Sequence, residues 1–153
     1  MKKYILDTDI ISYLWDDKSL YHSKIVKHLN NLNDNDIVGI SVISIYELTY
    51  GVDSFRDEKL KNVFRYALES IKNDNDFQIF ALNHNGADFF SHLKTIYKKN
   101  TGITAKDAKK NDLDFMIASI VMSEDAILIS NDKIFEKLNQ IEPNFKLENW
   151  IKF

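Results

Sequence analysis

Residues 3–15 read Lys-Tyr-Ile-Leu-Asp-Thr-Asp-Ile-Ile-Ser-Tyr-Leu-Trp. The run Lys3 to Leu6 has the length of a buried strand and ends on a carboxylate, Asp7. The spacing of apolar residues then changes, and Ile10 to Trp15 reads as a short helix. A strand passing directly into a helix opens a parallel α/β sheet, because parallel neighbours need a crossover rather than a hairpin.

The same alternation recurs along the chain. Leu20 to Leu32 has helical spacing at Ile25, Val26, Leu29 and Leu32, and Asn33 to Asp36 is a polar turn before a second strand, Ile37 to Ile40. Ser41 is placed to cap a helix from Val42 to about Tyr50, with Gly51 as its stop. Asp57 to Lys72 is helical, with Leu60, Val63, Phe64, Ala67, Leu68 and Ile71 on one face. After a turn at Asn73 to Asp76 come a third strand, Phe77 to Leu82, and a helix from Asn85 to Tyr97. Residues 98–110 contain Gly102 and five lysines and read as an exposed connection. Asp112 to Ser123 is a helix capped by Asn111 or Asp112, and Ala126 to Ile129 is the fourth strand. Lys133 to Leu138 is a short helix, and Phe145 to Leu147 an edge strand. Repeats, low-complexity runs and linkers are absent, so residues 1–153 are expected to form one domain.

Composition narrows the function. One proline and four glycines favour long regular elements. The lack of cysteine excludes disulfides and thiolate metal sites. Only Tyr4, Ile5 and Leu6 separate the first basic pair from Asp7, too short a stretch for a signal peptide, and no segment reaches membrane-spanning length. A soluble cytoplasmic protein is expected. The net charge of −3 argues against a general nucleic-acid coat, yet allows an RNA-cleaving enzyme with a local basic strip.

Four acids carry the chemistry. In parallel α/β sheets, ligands bind beyond the carboxyl ends of the strands, where strand order reverses. Asp7 follows the first strand, and Asp132 follows the fourth after Ser130 and Asn131, so neighbouring first and fourth strands would bring both carboxylates to one crevice. Glu47 is a lone charge in the apolar run Val-Ile-Ser-Ile-Tyr-Glu-Leu-Thr-Tyr, and Asp114 falls in the first turn of its helix. Taken singly, each has a plain structural reading. Asp7 and Asp132 read as loop acids, Asp114 as a complement to a helix N-terminus, and Glu47 as the partner of a surface lysine. Taken together, four converging carboxylates repel, and without a cation at least one takes up a proton. Oxygen ligands of this kind suit Mg²⁺ or Mn²⁺. Such an ion activates water and neutralises phosphoryl oxygens, which favours phosphodiester hydrolysis.

These stretches resemble the PIN-domain family. Tyr-Ile-Leu-Asp-Thr-Asp (4–9) resembles its opening, and Ser-Val-Ile-Ser-Ile-Tyr-Glu-Leu-Thr-Tyr-Gly (41–51) its second motif. Asn-Asp-Leu-Asp-Phe-Met-Ile-Ala-Ser (111–119) is similar to the third and Ile-Ser-Asn-Asp-Lys-Ile-Phe (129–135) to the fourth. Leu-Glu-Asn-Trp (147–150) resembles the ending of VapC-type toxins. The resemblance implies a three-layer α/β/α sandwich around a central parallel sheet of four to five strands. It implies a Mg²⁺- or Mn²⁺-dependent endoribonuclease acting on tRNA or ribosomal RNA, homodimeric and neutralised by a partner antitoxin. By position, Asp7, Glu47, Asp114 and Asp132 would hold the metal directly or through water, supported by Thr8, Asp9 and Ser130. Ser130 stands where the family usually has Thr, and Ile134 where it often has a charged residue.

Other residues are weighed beside these. Lys94, Lys98, Lys99, Lys106, Lys109 and Lys110 precede the third acid and are candidates for an RNA backbone, or simply solvated. Trp15, Tyr46 and Tyr50 read as core or dimer packing in preference to base stacking. His22, His28, His84 and His92 lack metal-ligand spacing and read as helix-surface residues. Two further readings stay open. One is a phosphatase of the HAD type with Asp7 as nucleophile and Asp9 as acid/base; the other is a non-catalytic PIN-like RNA- or protein-binding module.

Overall fold

In the computed structural model, which describes residues 1–73 and 77–152, the first half of the chain runs β1 (Lys3–Leu6), α1 (Thr8–Trp15), α2 (His22–Asn30), β2 (Ile37–Ser41), α3 (Val42–Val52) and α4 (Glu58–Asn73). It continues as β3 (Gln78–Phe80), α5 (Gly86–Thr101), α6 (Ala105–Lys109), α7 (Asp112–Ser123), β4 (Ile127–Ile129), α8 (Lys133–Ile141) and β5 (Lys146–Glu148). The five strands form one sheet in the order β3-β2-β1-β4-β5, every pair parallel. β1 is therefore central, and its neighbours β2 and β4 come from distant parts of the chain. That is the strand reversal at which a site is expected.

Alternation along β1 divides the core into two layers. Tyr4 and Leu6 face the side covered by α1 to α4, where Ile10, Ile25, Leu48 and Phe64 are buried. Ile5 faces the side of α5, α7 and α8, with Leu93, Phe115, Phe135 and Leu138. Burial on this scale contributes roughly 1.5–3 kcal/mol per large side chain. Gly39 fits the sheet for lack of a side chain: a Cβ there would lie 2.1 Å from the Gln78 carbonyl oxygen and 2.7 Å from the Phe80 ring. No described helix is long and apolar enough to cross a membrane.

The expected alternation holds, with local departures. Gly51 does not stop α3. The helix runs on to Val52, whose burial favours the two extra residues, and the open surroundings of Gly51 allow them. α5 continues past Tyr97 to Thr101 and ends at Gly102, whose φ of 68° is left-handed. Lys98 and Lys99 thus lie on a helix, and the connection after it contains the short α6, capped by Thr104. α8 extends three residues further than expected because Ile141 packs onto the core. β3 is shorter than Phe77 to Leu82, pairing only with Gly39 to Ser41 at the sheet edge. In the turn expected at Asn73 to Asp76, Asn73 closes α4, and residues 74–76 lie outside the described residues. His84 sits in the turn before α5 rather than on a helix.

Candidate active site

Because all strands point the same way, their carboxyl ends share one edge, and the acids gather there. The Asp7 N–H donates to the Ile129 carbonyl at 2.9 Å, fixing Asp7 to the end of β4. Its side chain caps α1, accepting from the Thr8 N–H at 2.8 Å, and is 7% exposed. The other carboxylate oxygen accepts from the Ser130 hydroxyl at 2.7 Å, and that hydroxyl accepts from the Asp132 N–H at 3.0 Å. Asp132 caps α8 through the Ile134 N–H at 3.2 Å. One hydroxyl therefore joins the first acid to the last.

Ser41 caps α3 through the Ser44 N–H, as its sequence position predicts. The Thr8 hydroxyl lies 2.9 Å from that of Ser44 and donates to Glu47 at 3.0 Å, so α1 orients the acid of α3. Asp114 is half-buried in the first turn of α7.

Burial, helped by the charges of Asp9 and Asp114, pushes the Asp7 carboxyl up to about 7, although bonds from Ser130 and Thr8 pull the other way. Asp114 is raised to about 6 by burial, then by the charges of Asp132, Glu47 and Asp9. These couplings place Asp7, Asp9, Glu47, Asp114 and Asp132 in one field. No lysine, arginine or histidine pairs with any of the five among the described residues. Equally, among the described residues no three His, Cys, Asp or Glu side chains stand close enough to hold an ion as they are. The acids surround one mouth without forming a closed cage, as mutually repelling carboxylates do. Their chemistry still fits a hard divalent cation: all donors are oxygens, one is a buried carboxyl raised to about 7, and among the described residues no side-chain cation pairs with them.

The lysines divide into two groups. Lys94, Lys98 and Lys99 line a cavity of about 500 Å³ along α5 with Phe90. Lys94 reaches towards the mouth, pairing at 2.6 Å with Asp112, two residues from Asp114. Lys106, Lys109 and Lys110 are exposed on and after α6, and Lys110 pairs with Asp107 at 3.5 Å. Trp15 packs edge-on against Phe64, as a core residue does, whereas Tyr46 and Tyr50 are 73% and 84% exposed on the helix of Glu47. Sequence reasoning missed Ser44 and, beside Asp132, Asn149 and Lys152. Spacing of Ser41 and Ser44 in the second motif was the available signal for the former; the latter two depend on where β5 lies.

The PIN-domain family model matches residues 4–141. The chain belongs to the PIN-domain family. Among solved structures, this PIN domain is similar to VapBC2 from Rickettsia felis bound to a promoter DNA fragment, with 25% identity, 97% of this chain and 98% of that chain covered, and a TM-score of 0.72. VapBC-1 from nontypeable Haemophilus influenzae shares the fold at 22% identity, 98% and 99% coverage and a TM-score of 0.71. VapBC-5 from Mycobacterium tuberculosis, a member of the VapBC toxin–antitoxin systems, does so at 17% identity, 97% and 99% coverage and 0.66. No curated protein matches. The resemblance carried by the motifs, to PIN domains of the VapC type, therefore holds, and with it the α/β/α sandwich. The HAD-type phosphatase reading loses its basis, since it leaves Glu47 and Asp114, both coupled into the mouth, without a role.

Proposed function

We propose that this PIN domain is a Mg²⁺- or Mn²⁺-dependent endoribonuclease and the toxin of a toxin–antitoxin pair. The observation that carries this is a buried carboxyl, Asp7, without an ion-pair partner among the described residues, linked through one Ser130 hydroxyl to the Asp132 N–H and coupled by charge to Asp114 and Asp9. Such an arrangement is costly to maintain without a positive ligand.

Asp7, Glu47, Asp114 and Asp132 would hold the ion. When bound, a divalent ion lowers the pKa of water and neutralises charge on the phosphoryl oxygens. The protein's own part is orientation. Ser130 ties the Asp7 carboxylate to the Asp132 backbone N–H, the Ile134 N–H orients the Asp132 carboxylate, Thr8 fixes Glu47, and Asp9 adds negative charge that favours cation capture. Lys98, Lys99, Lys106, Lys109 and Lys110 supply positive charge on the α5–α6 flank for an RNA backbone. Hydrolysis by attack in line leaves a 5′-phosphate and a 3′-hydroxyl. The single-domain organisation, the homodimer, the cytoplasmic setting, the tRNA or ribosomal RNA target and the antitoxin partner are parts of the same proposal. The similarity to VapBC assemblies supports the partner.

Cleavage of structured RNA with Mg²⁺ or Mn²⁺, and with EDTA, tests the reading. Asp7→Asn and Asp132→Asn should each abolish cleavage while keeping the wild-type circular dichroism spectrum. Wild-type protein that binds RNA but never cuts it would favour the non-catalytic module instead.

A further inference from the structure

Hydroxyls inside helices commonly bond back to their own helix. Ser12 donates to the Thr8 carbonyl at 3.0 Å, Thr49 to the Ile45 carbonyl at 2.7 Å and Ser123 to the Ser119 carbonyl at 2.8 Å. Ser44, fully buried in the first turn of α3, instead faces two other hydroxyls, Ser41 at 3.2 Å and Thr8 at 2.9 Å. The helix cap does not require this, because Ser41 caps α3 through the Ser44 backbone N–H at 3.1 Å and not through its side chain. A buried hydroxyl beyond what the cap needs is a polar group placed in the core for another purpose.

Counting protons fixes the direction of these contacts. Each hydroxyl has one proton to give, and a carboxylate only accepts. The Thr8 proton therefore goes to Glu47 at 3.0 Å. The contact between Thr8 and Ser44 is then donated by Ser44, which spends its own proton. The contact between Ser44 and Ser41 is left for Ser41 to donate, while its oxygen accepts the Ser44 N–H. The bonds thus run one way, from Ser41 to Ser44 to Thr8 to the carboxylate, and bonds in such a series polarise and strengthen one another. The series starts on two fully buried serines at the end of β2 and ends on Glu47, which is exposed. It crosses from β2 to the residue that opens α1 after β1, the neighbouring strand.

We propose that Ser44 is a positioning residue of the acidic mouth: rooted on Ser41, it holds the Thr8 hydroxyl in the orientation that fixes the Glu47 carboxylate for a divalent cation. The inference rests on the reading of Glu47 as a cation ligand. An exposed glutamate samples many rotamers, and fixing it before the ion arrives removes an ordering cost from binding. Thr8 alone does not supply that rigidity, since a helical threonine divides between two χ1 positions and the bond from Ser44 selects one. Groups that orient a metal ligand without touching the ion commonly govern affinity in this way.

The test compares wild type with Ser44→Ala, Ser44→Cys, Thr8→Val and the double variant Ser44→Ala/Thr8→Val, each checked for folding by circular dichroism in EDTA. Mn²⁺ binding without RNA is followed by electron paramagnetic resonance. Carboxyl ¹³C spectra of glutamate-labelled, metal-free protein report on Glu47, whose resonance is assigned with Glu47→Gln. Ser44→Ala should weaken Mn²⁺ binding about ten-fold. Ser44→Cys, which fills the space with a weaker donor, should fall between and carries the comparison if the alanine variant does not fold. In the Thr8→Val background the same alanine should change affinity by less than about two-fold, because Ser44 acts through the missing hydroxyl. In the metal-free spectra Ser44→Ala should move the Glu47 resonance in the same direction as Thr8→Val. Wild-type Mn²⁺ affinity in both folded Ser44 variants would overturn the inference, as would a full additive loss in the double variant or a Glu47 resonance that responds to Thr8→Val alone. Wild type that shows the Ser44-dependent binding of Mn²⁺ but cuts no RNA would remove the nuclease reading and leave the positioning role standing.

Discussion

Replacing Asp7 by Asn should reverse the order of stability of the two proteins between about pH 4 and pH 8. The buried carboxyl has a pKa of about 7, against 3.8 for an exposed one. The folded protein thus holds this proton more tightly than the unfolded chain. The resulting stability is fully present below pH 3.8 and is lost as pH rises through about 7. At 1.36 kcal/mol for each tenfold change in proton affinity, the loss approaches about 4 kcal/mol at alkaline pH. Asn keeps a neutral amide throughout, and its carbonyl still accepts from the Thr8 N–H. The Ser130 hydroxyl, however, changes from donor to acceptor, which costs about 1–2 kcal/mol. Asp7→Asn should therefore be less stable than wild type at about pH 4 and more stable at pH 8 by about 2 kcal/mol, or roughly 4–8 °C in melting temperature. Urea and thermal unfolding in EDTA at half-unit steps of pH measure this. Parallel curves without a crossing would show that ionised Asp7 bears no burial cost. In millimolar Mn²⁺ the wild type alone should regain the lost stability.

Ser130→Ala removes a bond that favours ionised Asp7, so the acid limb of the pH–rate profile for RNA cleavage should move to higher pH; an unmoved limb would separate Ser130 from the site. Gly39→Ala should cost about 3 kcal/mol or more by urea unfolding, given the 2.1 Å approach of its Cβ to Gln78, and a loss below about 1 kcal/mol would refute the close packing of β2 on β3. Gly51→Ala and Gly102→Ala should differ in sign. The first is helical with open space around it and should gain about 0.5–1 kcal/mol, while the second, at φ 68°, should lose about 1 kcal/mol. Equal effects in the same denaturation assay would contradict the helix end assigned at Gly102.

Much of the fold can be read from the sequence because β1, β2 and β4 are continuous apolar runs, each followed by a capping or acidic residue at the position where its side chain meets the mouth. Asp7, Ser41 and Asp132 are all helix caps, so one residue type signals both a boundary and a site. Legibility fails where packing outweighs local preference. Gly51 carries a stop signal that the burial of Val52 overrides, and the polar last turn of α5 lacks the apolar period that would mark it. The chemistry of the four acids is suggested by type and order, but their mutual coupling needs the strand order. The packing of Trp150 on Tyr4 and His28 is out of reach from residues alone, because it exists only once β5 brings that segment beside β1 and α2.

The central place of β1 also sets a timetable. Asp7 is made 123 positions before the hydroxyl that orients it, which directly follows β4, and seven of the described helices are made in between. An incompletely translated chain has the first carboxylate but neither Ser130 nor Asp132 to complete its surroundings. The mouth can therefore be assembled only once the whole stretch from Asp7 to Asp132 has been made and β4 has docked beside β1.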